Sequence, residues 1–177
     1  MTTTPGEHES LIGRLRRLGA LLEPESNPGG VVYGVLAIGT LLAAEGARRE
    51  TYPAVLEASG LALVLYWLAH AYSGYFGDRA ESGAAFSPRR FLHAVAHEAA
   101  LLKGAVLPVA ALLVAWVFRS PLSLAVTIAL WTAALELVLL EVAVGVRRKL
   151  SVVELAFELS LGLLLAGGIL GVRLLLH

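Results

Sequence analysis

The sequence predicts an all-α, polytopic integral membrane protein: a helical bundle of five transmembrane helices with an N-terminal interfacial amphipathic helix. The chain has 177 residues, of which 57% are hydrophobic. Its mean hydropathy of +0.73 is too high for an ordinary soluble domain. Its apolar stretches approach the roughly 20 residues that a helix needs to cross the hydrocarbon core of a bilayer. Most ionisable residues within these stretches lie toward one face of the membrane.

Composition excludes several classes of function. The chain contains no cysteine, which excludes thiol catalysis, disulfides, iron–sulfur clusters and thiolate metal sites. Its formal net charge is zero, so no broad basic surface indicates nucleic acid as a partner. Arginine outnumbers lysine, and alanine and leucine dominate, which resembles the small multi-span membrane proteins of GC-rich bacteria. This resemblance is one of general style and assigns no functional residue.

Residues 1–26 are polar to amphipathic. The segment Thr4-Pro5-Gly6-Glu7 has the spacing of a capping box with proline at the first helical position. Leucines then recur at helical spacing while the arginines lie off that stripe. We expect a short helix that lies either in the membrane interface or on the cytoplasmic face of the protein itself. We expect no signal peptide, because no apolar segment follows the charges.

Helix-starting residues divide 27–177, the transmembrane domain, into five spans. Asn27-Pro28, Ser87-Pro88 and Ser120-Pro121 are typical of helix starts, and Ser151 with Glu154 has the spacing of another capping box. The polar, glycine-containing stretch after residue 73 predicts a loop. The spans cover about residues 28–46, 53–73, 98–118, 121–145 and 152–176.

The distribution of positive charge predicts the orientation. Arginine and lysine concentrate in the connections on the N-terminal side, most densely at Arg147-Arg148-Lys149. The positive-inside rule therefore predicts a cytoplasmic N-terminus in a bacterial inner (plasma) membrane. The first span is short and rich in glycine. If the first span is re-entrant, the N-terminal tail lies on the other side of the membrane. The excess of positive charge on the cytoplasmic side is then smaller.

Alternating spans bring ionisable residues to one leaflet. A charge at the centre of a spanning helix costs about 2.5–3.5 kcal/mol on insertion scales, so such residues are usually functional or internally paired. We call these ionisable residues the polar layer. Glu136 is its deepest acid and the best single candidate for an ion or proton pathway. The tyrosines around His70 are also typical of an interfacial belt, and Lys103 can snorkel to the head groups. The predicted pathway comprises His70, Lys103, Glu136, Glu141 and Glu158.

A divalent metal ion is a possible cofactor of the same layer. His93 and His97 stand at i and i+4 on one helical face, as metal-binding histidines often do. Glu98 completes the predicted ligand set, although it projects about 100° away from His97 around the helix. The acid lies outside the histidine pair, so no HExxH motif is present.

Other residues predict helix packing. Gly167 and Gly171 form a small-xxx-small pair that marks close helix contact, within the protomer or between protomers. Pro108 predicts a kink near the middle of the third span, either at a gate or as a passive bend. Glu57 and Arg173 lie at similar depth with opposite charge, and we expect them to pair.

Three functions compete. The favoured one is a homo-oligomeric transporter or channel, because five spans are few for a self-contained transporter and the polar layer suits a small cation or a proton. The second is an accessory subunit whose buried charges pair internally, as His70 with Glu136 and Lys103 with Glu158. The third and least favoured function is a metal-dependent intramembrane enzyme. The lipid bilayer is the one partner that all three share.

Overall fold

The computed structural model describes residues 27–45 and 51–176. The predicted N-terminal amphipathic helix lies outside these residues. The described chain is all-helical, without a strand, and its seven helices are α1 (Pro28–Glu45), α2 (Tyr52–Ser82), α3 (Pro88–His97), α4 (Ala100–Gly104), α5 (Val106–Val117), α6 (Leu122–Arg148) and α7 (Val152–Leu176).

Three of these helices are long and apolar enough to cross a membrane: α2, α6 and α7. The helices α3 to α5 make a fourth candidate, as one span bent by 44°. The helix α1 has 18 residues and is about 27 Å long, slightly less than the roughly 30 Å of a hydrocarbon core. The chain is therefore a multi-pass membrane protein with three or four candidate spans. A fifth span, through α1, stays a prediction.

The helices alternate in direction. The hydroxyl of Tyr52, at the start of α2, donates to the carbonyl of Ser120 over 2.7 Å. Toward its other end, α2 places His70 against Tyr33 of the second turn of α1, with ring centroids 4.9 Å apart. Arg173 of the last turns of α7 donates to the carbonyl of Ser123 at the start of α6. We call the end of the bundle that holds His70 and Glu98 the Glu98 end, and the opposite end the Ser120 end.

The short helix α1 is the centre of the bundle. Its side chains Val35, Ile38 and Leu42 are completely buried, and it packs against α4, α6 and α7. A Cβ atom added at Gly34 would overlap the carbonyl oxygen of Leu101, and one at Gly104 would overlap the carbonyl oxygen of Val31. The two glycines thus allow the backbones of α1 and α4 to touch, as small residues do between membrane helices.

The third predicted span is broken twice. The helix α3 ends at His97, and the next turn carries hydrogen bonds of the tighter i to i+3 type, as from Leu101 N to Glu98 O. The second break separates α4 from α5 and holds the 44° bend. Pro108 lies in the first turn of α5, where its ring would clash with the carbonyl of Gly104, four residues earlier, in a continuous helix. The proline therefore accounts for the position of this bend.

The loop predicted after residue 73 is wrong over its first part, because α2 continues to Ser82. Gly74 and Gly77 are the reason for the prediction, but a glycine within a helix costs only about 1 kcal/mol. Tertiary contact offsets this cost, since Tyr75 packs edge-on against Phe91 of α3 and its hydroxyl accepts from the backbone N–H of Ser87 at 2.9 Å. The end of α2 and α3 thus form a helical hairpin beyond the start of α1.

The predicted capping box is present at the start of α7. The carboxylate of Glu154 accepts from the backbone N–H of Ser151 at 2.8 Å, and the Ser151 hydroxyl accepts from the N–H of Glu154 at 3.3 Å. Both donors would otherwise lack a partner at the helix start. Glu154 therefore has a structural role.

Candidate functional site

The carboxylate of Glu98 is the meeting point of three helices. Its Oε1 lies 3.2 Å from Nδ1 of His97, and its Oε2 lies 3.6 Å from Nε2 of His70. Oε2 also accepts a hydrogen bond from Nδ2 of Asn27 at 3.1 Å. The Glu98 side chain is 18% exposed, whereas the two imidazoles are 42% and 45% exposed. Glu98 is therefore a partly buried acid between two half-exposed bases. We call Asn27, His70, His97 and Glu98 the Glu98 cluster.

Asn27 determines how Glu98 faces α1. Its Oδ1 accepts from the backbone N–H of Gly30 at 2.7 Å, as the side chain of a helix N-cap residue does. Because Oδ1 is thus engaged as an acceptor, the amide nitrogen is the atom that faces the carboxylate. The negative charge of Glu98 also lies at the N-terminus of α1, where the helix dipole is favourable to anions.

Aromatic rings hold His70 in place. Tyr33 of α1 stacks on His70 and also on Tyr66, whose ring centroid is 5.3 Å away. One turn from His70, the indole N–H of Trp67 donates to the carbonyl of Val95 at 3.1 Å, which joins α2 to α3. The histidine is therefore fixed by stacking on one side and by the carboxylate on the other. The polar lining and the interfacial aromatic belt that the sequence suggests here both stay predictions.

A groove leads to the Glu98 cluster from outside the bundle. It has a volume of about 520 Å³ and runs between the end of α2 and α3. His97 and Glu98 line it together with five further charged or titratable residues: Tyr75, Asp78, Arg79, Arg90 and His93. The cluster is therefore in contact with the surroundings of the protein at the Glu98 end.

The structure does not assemble the predicted metal ligands. Within the described residues, no group of three or more histidine, aspartate or glutamate side chains is close enough to hold a metal ion. His93 lines the groove, but the carboxylate of Glu98 turns toward Asn27 and His70. His93 lies five residues before Glu98, which on a helix places the two side chains about 140° apart. Only His97 and Glu98 of the predicted set are in contact.

Glu136 is isolated in the apolar interior. Its side chain is 7% exposed, and its Oε2 has no hydrogen-bond partner among the described residues. Ala133 and Leu137, on the same stretch of α6, pack against Val35 of α1. A carboxyl group without a partner in such surroundings is costly, which makes Glu136 the most conspicuous buried polar group of the bundle.

The carboxylate of Glu141 on α6 faces α7, where Glu158 is half-buried. Oε2 of Glu141 is buried without a hydrogen-bond partner in the described chain. A Cβ atom at Gly162 would overlap the Glu141 carboxylate. Gly162 therefore provides the space that this side chain occupies, a role that its position in a glycine-rich helix does not reveal.

The expected charge pairs are not seen in the described part of the chain. His70 contacts Glu98 there rather than Glu136, and no ion pair joins Lys103, which is exposed, to Glu158. The guanidinium of Arg173 donates to the carbonyl of Ser123 at 3.3 Å and makes no ion pair with the exposed Glu57. The polar layer is therefore three separate groups and not a set of neutralised pairs.

The glycine pair of α7 does not lie at a close helix contact within the described chain. A Cβ atom at Gly167, Gly168 or Gly171 would meet no atom within 4 Å in the described chain. Several leucines on the same helix are also exposed, among them Leu163 and Leu164. This part of α7 faces outward, toward lipid or another molecule.

Two members of the site were not predicted from the sequence. Asn27 was recognised only as a helix start, and Tyr33 only as part of an apolar stretch. The signal for Asn27 was its place directly before Pro28, since an N-cap side chain lies at the anion-binding end of a helix. Comparison of the chain with protein-family models, curated proteins and solved structures found no match.

Proposed function

We propose that the protein is a small transporter or channel for protons, or for a small cation, with the Glu98 cluster as its entry site. The observation that supports this proposal is the position of Glu98 between two half-exposed imidazoles, where the groove meets the bundle. In this proposal the protein lies in the inner membrane of a bacterium, with the Glu98 end and the N-terminus on the cytoplasmic side. It acts as a homo-oligomer.

The chemistry of the cluster suits proton transfer. An imidazole accepts a proton on one nitrogen and releases one from the other at physiological pH. A carboxylate at 3.2 and 3.6 Å from two imidazoles can pass a proton from one to the other. The amide of Asn27 holds the carboxylate in place and cannot itself titrate.

Glu136 is the next acid along the proposed route. It lies at the level of Val35 on α1, about 12 Å further along that helix than Asn27. Water or a conformational change must bridge this gap. Intramembrane acids of this kind are typical of proton relays, and the absence of a charged partner leaves Glu136 able to take up and release a proton.

Flux measurements test the proposal directly. Purified protein is reconstituted into liposomes with a trapped pH-sensitive dye, and a potassium diffusion potential drives proton entry. We expect Glu98→Gln to slow the flux about 100-fold, in the range typical for the loss of a proton-transferring group. Glu81→Gln is the matched control, because Glu81 is exposed on the same helical hairpin and does not line the groove. Equal flux in both variants would contradict the proposed role of Glu98.

The ion is identified in the same vesicles. Flux that persists at constant pH, and that follows the sodium or potassium gradient, would assign a cation instead of a proton. Chromatography of the purified protein with light scattering gives the oligomeric state.

An accessory role is the second candidate, and the outward-facing glycines of α7 favour it. Such a face suits contact with another membrane helix. Absence of flux for every ion, in a folded wild-type protein, would favour this reading over transport.

A further inference from the structure

We propose that the protein holds one phospholipid along α2, with the phosphate head group in the groove and an acyl chain in a second, apolar channel. This site shares the groove with the proposed proton route, because His97 and Glu98 also line the groove. Two cavities, their alignment and the side chains of the groove support the proposal.

The second cavity lies between α1 and α2. It has a volume of about 290 Å³ and is lined mainly by apolar side chains, with Leu36, Ala37 and Leu41 on α1 and Ala62 on α2. Thr40 also lines it, but its hydroxyl donates to the carbonyl of Leu36 at 2.8 Å and is thus satisfied. The channel therefore suits a hydrocarbon chain better than a polar ligand.

The two cavities lie along one ridge of α2. Residues four apart on a helix are neighbours on its surface, and such a row runs along α2 as Ala62, Tyr66, His70, Gly74 and Asp78, of which all but the half-buried Ala62 are exposed. The first two residues line the apolar channel, and the last two line the groove. A Cβ atom at Gly74 would meet nothing within 4 Å, so the ridge is open at that point. One elongated molecule can follow it from end to end.

The depth of each cavity matches the parts of a phospholipid. The channel lies beside the body of α1, where the bundle is apolar. The groove lies where α2 has passed the start of α1 and pairs with the amphipathic α3. Between them, Tyr33 and Tyr66 stack at the level of His70, in the place that tyrosine prefers at the boundary of a bilayer.

The groove offers side chains that bind a phosphate. Arg90 makes no ion pair in the described chain, and Arg79 uses only its Nε, which donates to the carbonyl of Ala84 at 3.2 Å. Their free guanidinium nitrogens can form the two-pronged hydrogen bonds that phosphate oxygens accept. Of the two acids that line the groove in the described chain, Glu98 is already engaged by Asn27 and the histidines, and Asp78 makes no ion pair.

Lipid retention in native mass spectrometry tests this proposal on the purified full-length protein. The probes are phosphatidylglycerol, phosphatidylethanolamine and inorganic phosphate, each added at defined concentrations. We expect one phospholipid per protomer, and we expect the Arg79→Gln/Arg90→Gln double variant to bind it at least about tenfold more weakly, since each hydrogen bond to a charged group changes the affinity by about tenfold or more. Arg148→Gln is the control, because Arg148 is exposed at the same end of the bundle on α6.

A second variant tests the channel. Ala62→Trp would fill the apolar cavity from a half-buried position, and we expect it also to weaken retention about tenfold while the circular dichroism spectrum and the elution volume stay unchanged. Equal retention by wild type and the double-arginine variant would overturn the proposal. So would loss in the arginine variant with full retention in Ala62→Trp, or displacement of the lipid by inorganic phosphate, because either result would indicate a site for free phosphate.

Discussion

The helices α1 and α7 look alike in the sequence but have opposite roles in the bundle. Both are apolar and rich in glycine. In α1 the glycine Gly34 touches the backbone of α4, and Val35 and Ile38 beside it are completely buried. In α7 a Cβ atom at Gly167 or Gly171 would meet open space within the described chain, and Leu163 and Leu164 on the same helix are exposed. Glycine content alone therefore does not show whether a helix is central or peripheral. Its position depends on whether other helices pack against its glycines.

The largest effect should come from a methyl group at the contact between α1 and α4. In Gly34→Ala the new Cβ would overlap the carbonyl oxygen of Leu101, which is backbone and cannot move away alone. We expect a loss of stability of about 3 kcal/mol, at the upper end of the range for overpacking. Thermal unfolding in detergent, followed by the amount of monodisperse protein, measures this loss.

Gly168→Ala is the matched control on α7. The same methyl group has open space there, and alanine is the better helix former by about 1 kcal/mol. We expect unchanged or slightly raised stability. If both variants unfold at the same temperature, the contrast between a central α1 and a peripheral α7 is wrong.

The next largest effect concerns the acid beside α1. Glu136→Leu removes a carboxyl group that is buried without a partner among the described residues, so we expect the protein to become more stable by about 1–2 kcal/mol. Proton flux should be lost in the same variant if Glu136 lies on the proposed route. Glu136→Gln is the comparison, because it keeps a buried polar group and should bring no gain in stability. Destabilisation by Glu136→Leu would instead indicate a structural partner for this side chain.

A smaller effect is expected at the start of α1. Asn27→Ala removes the N-cap bond to Gly30 and the hydrogen bond to Glu98, and loss of a cap costs about 1 kcal/mol. Asn27→Asp keeps the cap but places a second carboxylate beside Glu98. We therefore expect Asn27→Asp to retain stability at low pH and to lose it as the pH rises and both carboxyl groups ionise. Thermal unfolding across pH 4–8 measures both variants, and identical profiles would show that Asn27 does not face Glu98.

The sequence was sufficient to predict the elements that depend on local signals. Apolar length predicted the long helices, and Ser87, Ser151 and Pro28 predicted their starts. The extension of α2 to Ser82 was missed because it depends on the contact of Tyr75 with Phe91, which no local pattern shows. In the site, the alternation of helices places His70, His97 and Glu98 at one end. Their approach to Asn27 and Tyr33 depends on the lateral position and rotation of α1, which hydropathy does not determine.

The smallest effect on the isolated protomer is expected at the glycines of α7. These positions test whether α7 is peripheral in the assembled protein as well. Gly167→Leu and Gly171→Leu place bulky side chains where the described protomer has open space, so we expect stability changes within about 0.5 kcal/mol, as at other surface positions. If α7 joins protomers, however, the same residues lie at a close helix contact, where only small residues fit. The variants should then shift the protein from oligomer to monomer in light scattering while the unfolding of the monomer stays the same. An unchanged oligomer in both variants would leave this face of α7 to lipid, and the assembly would have to use another surface.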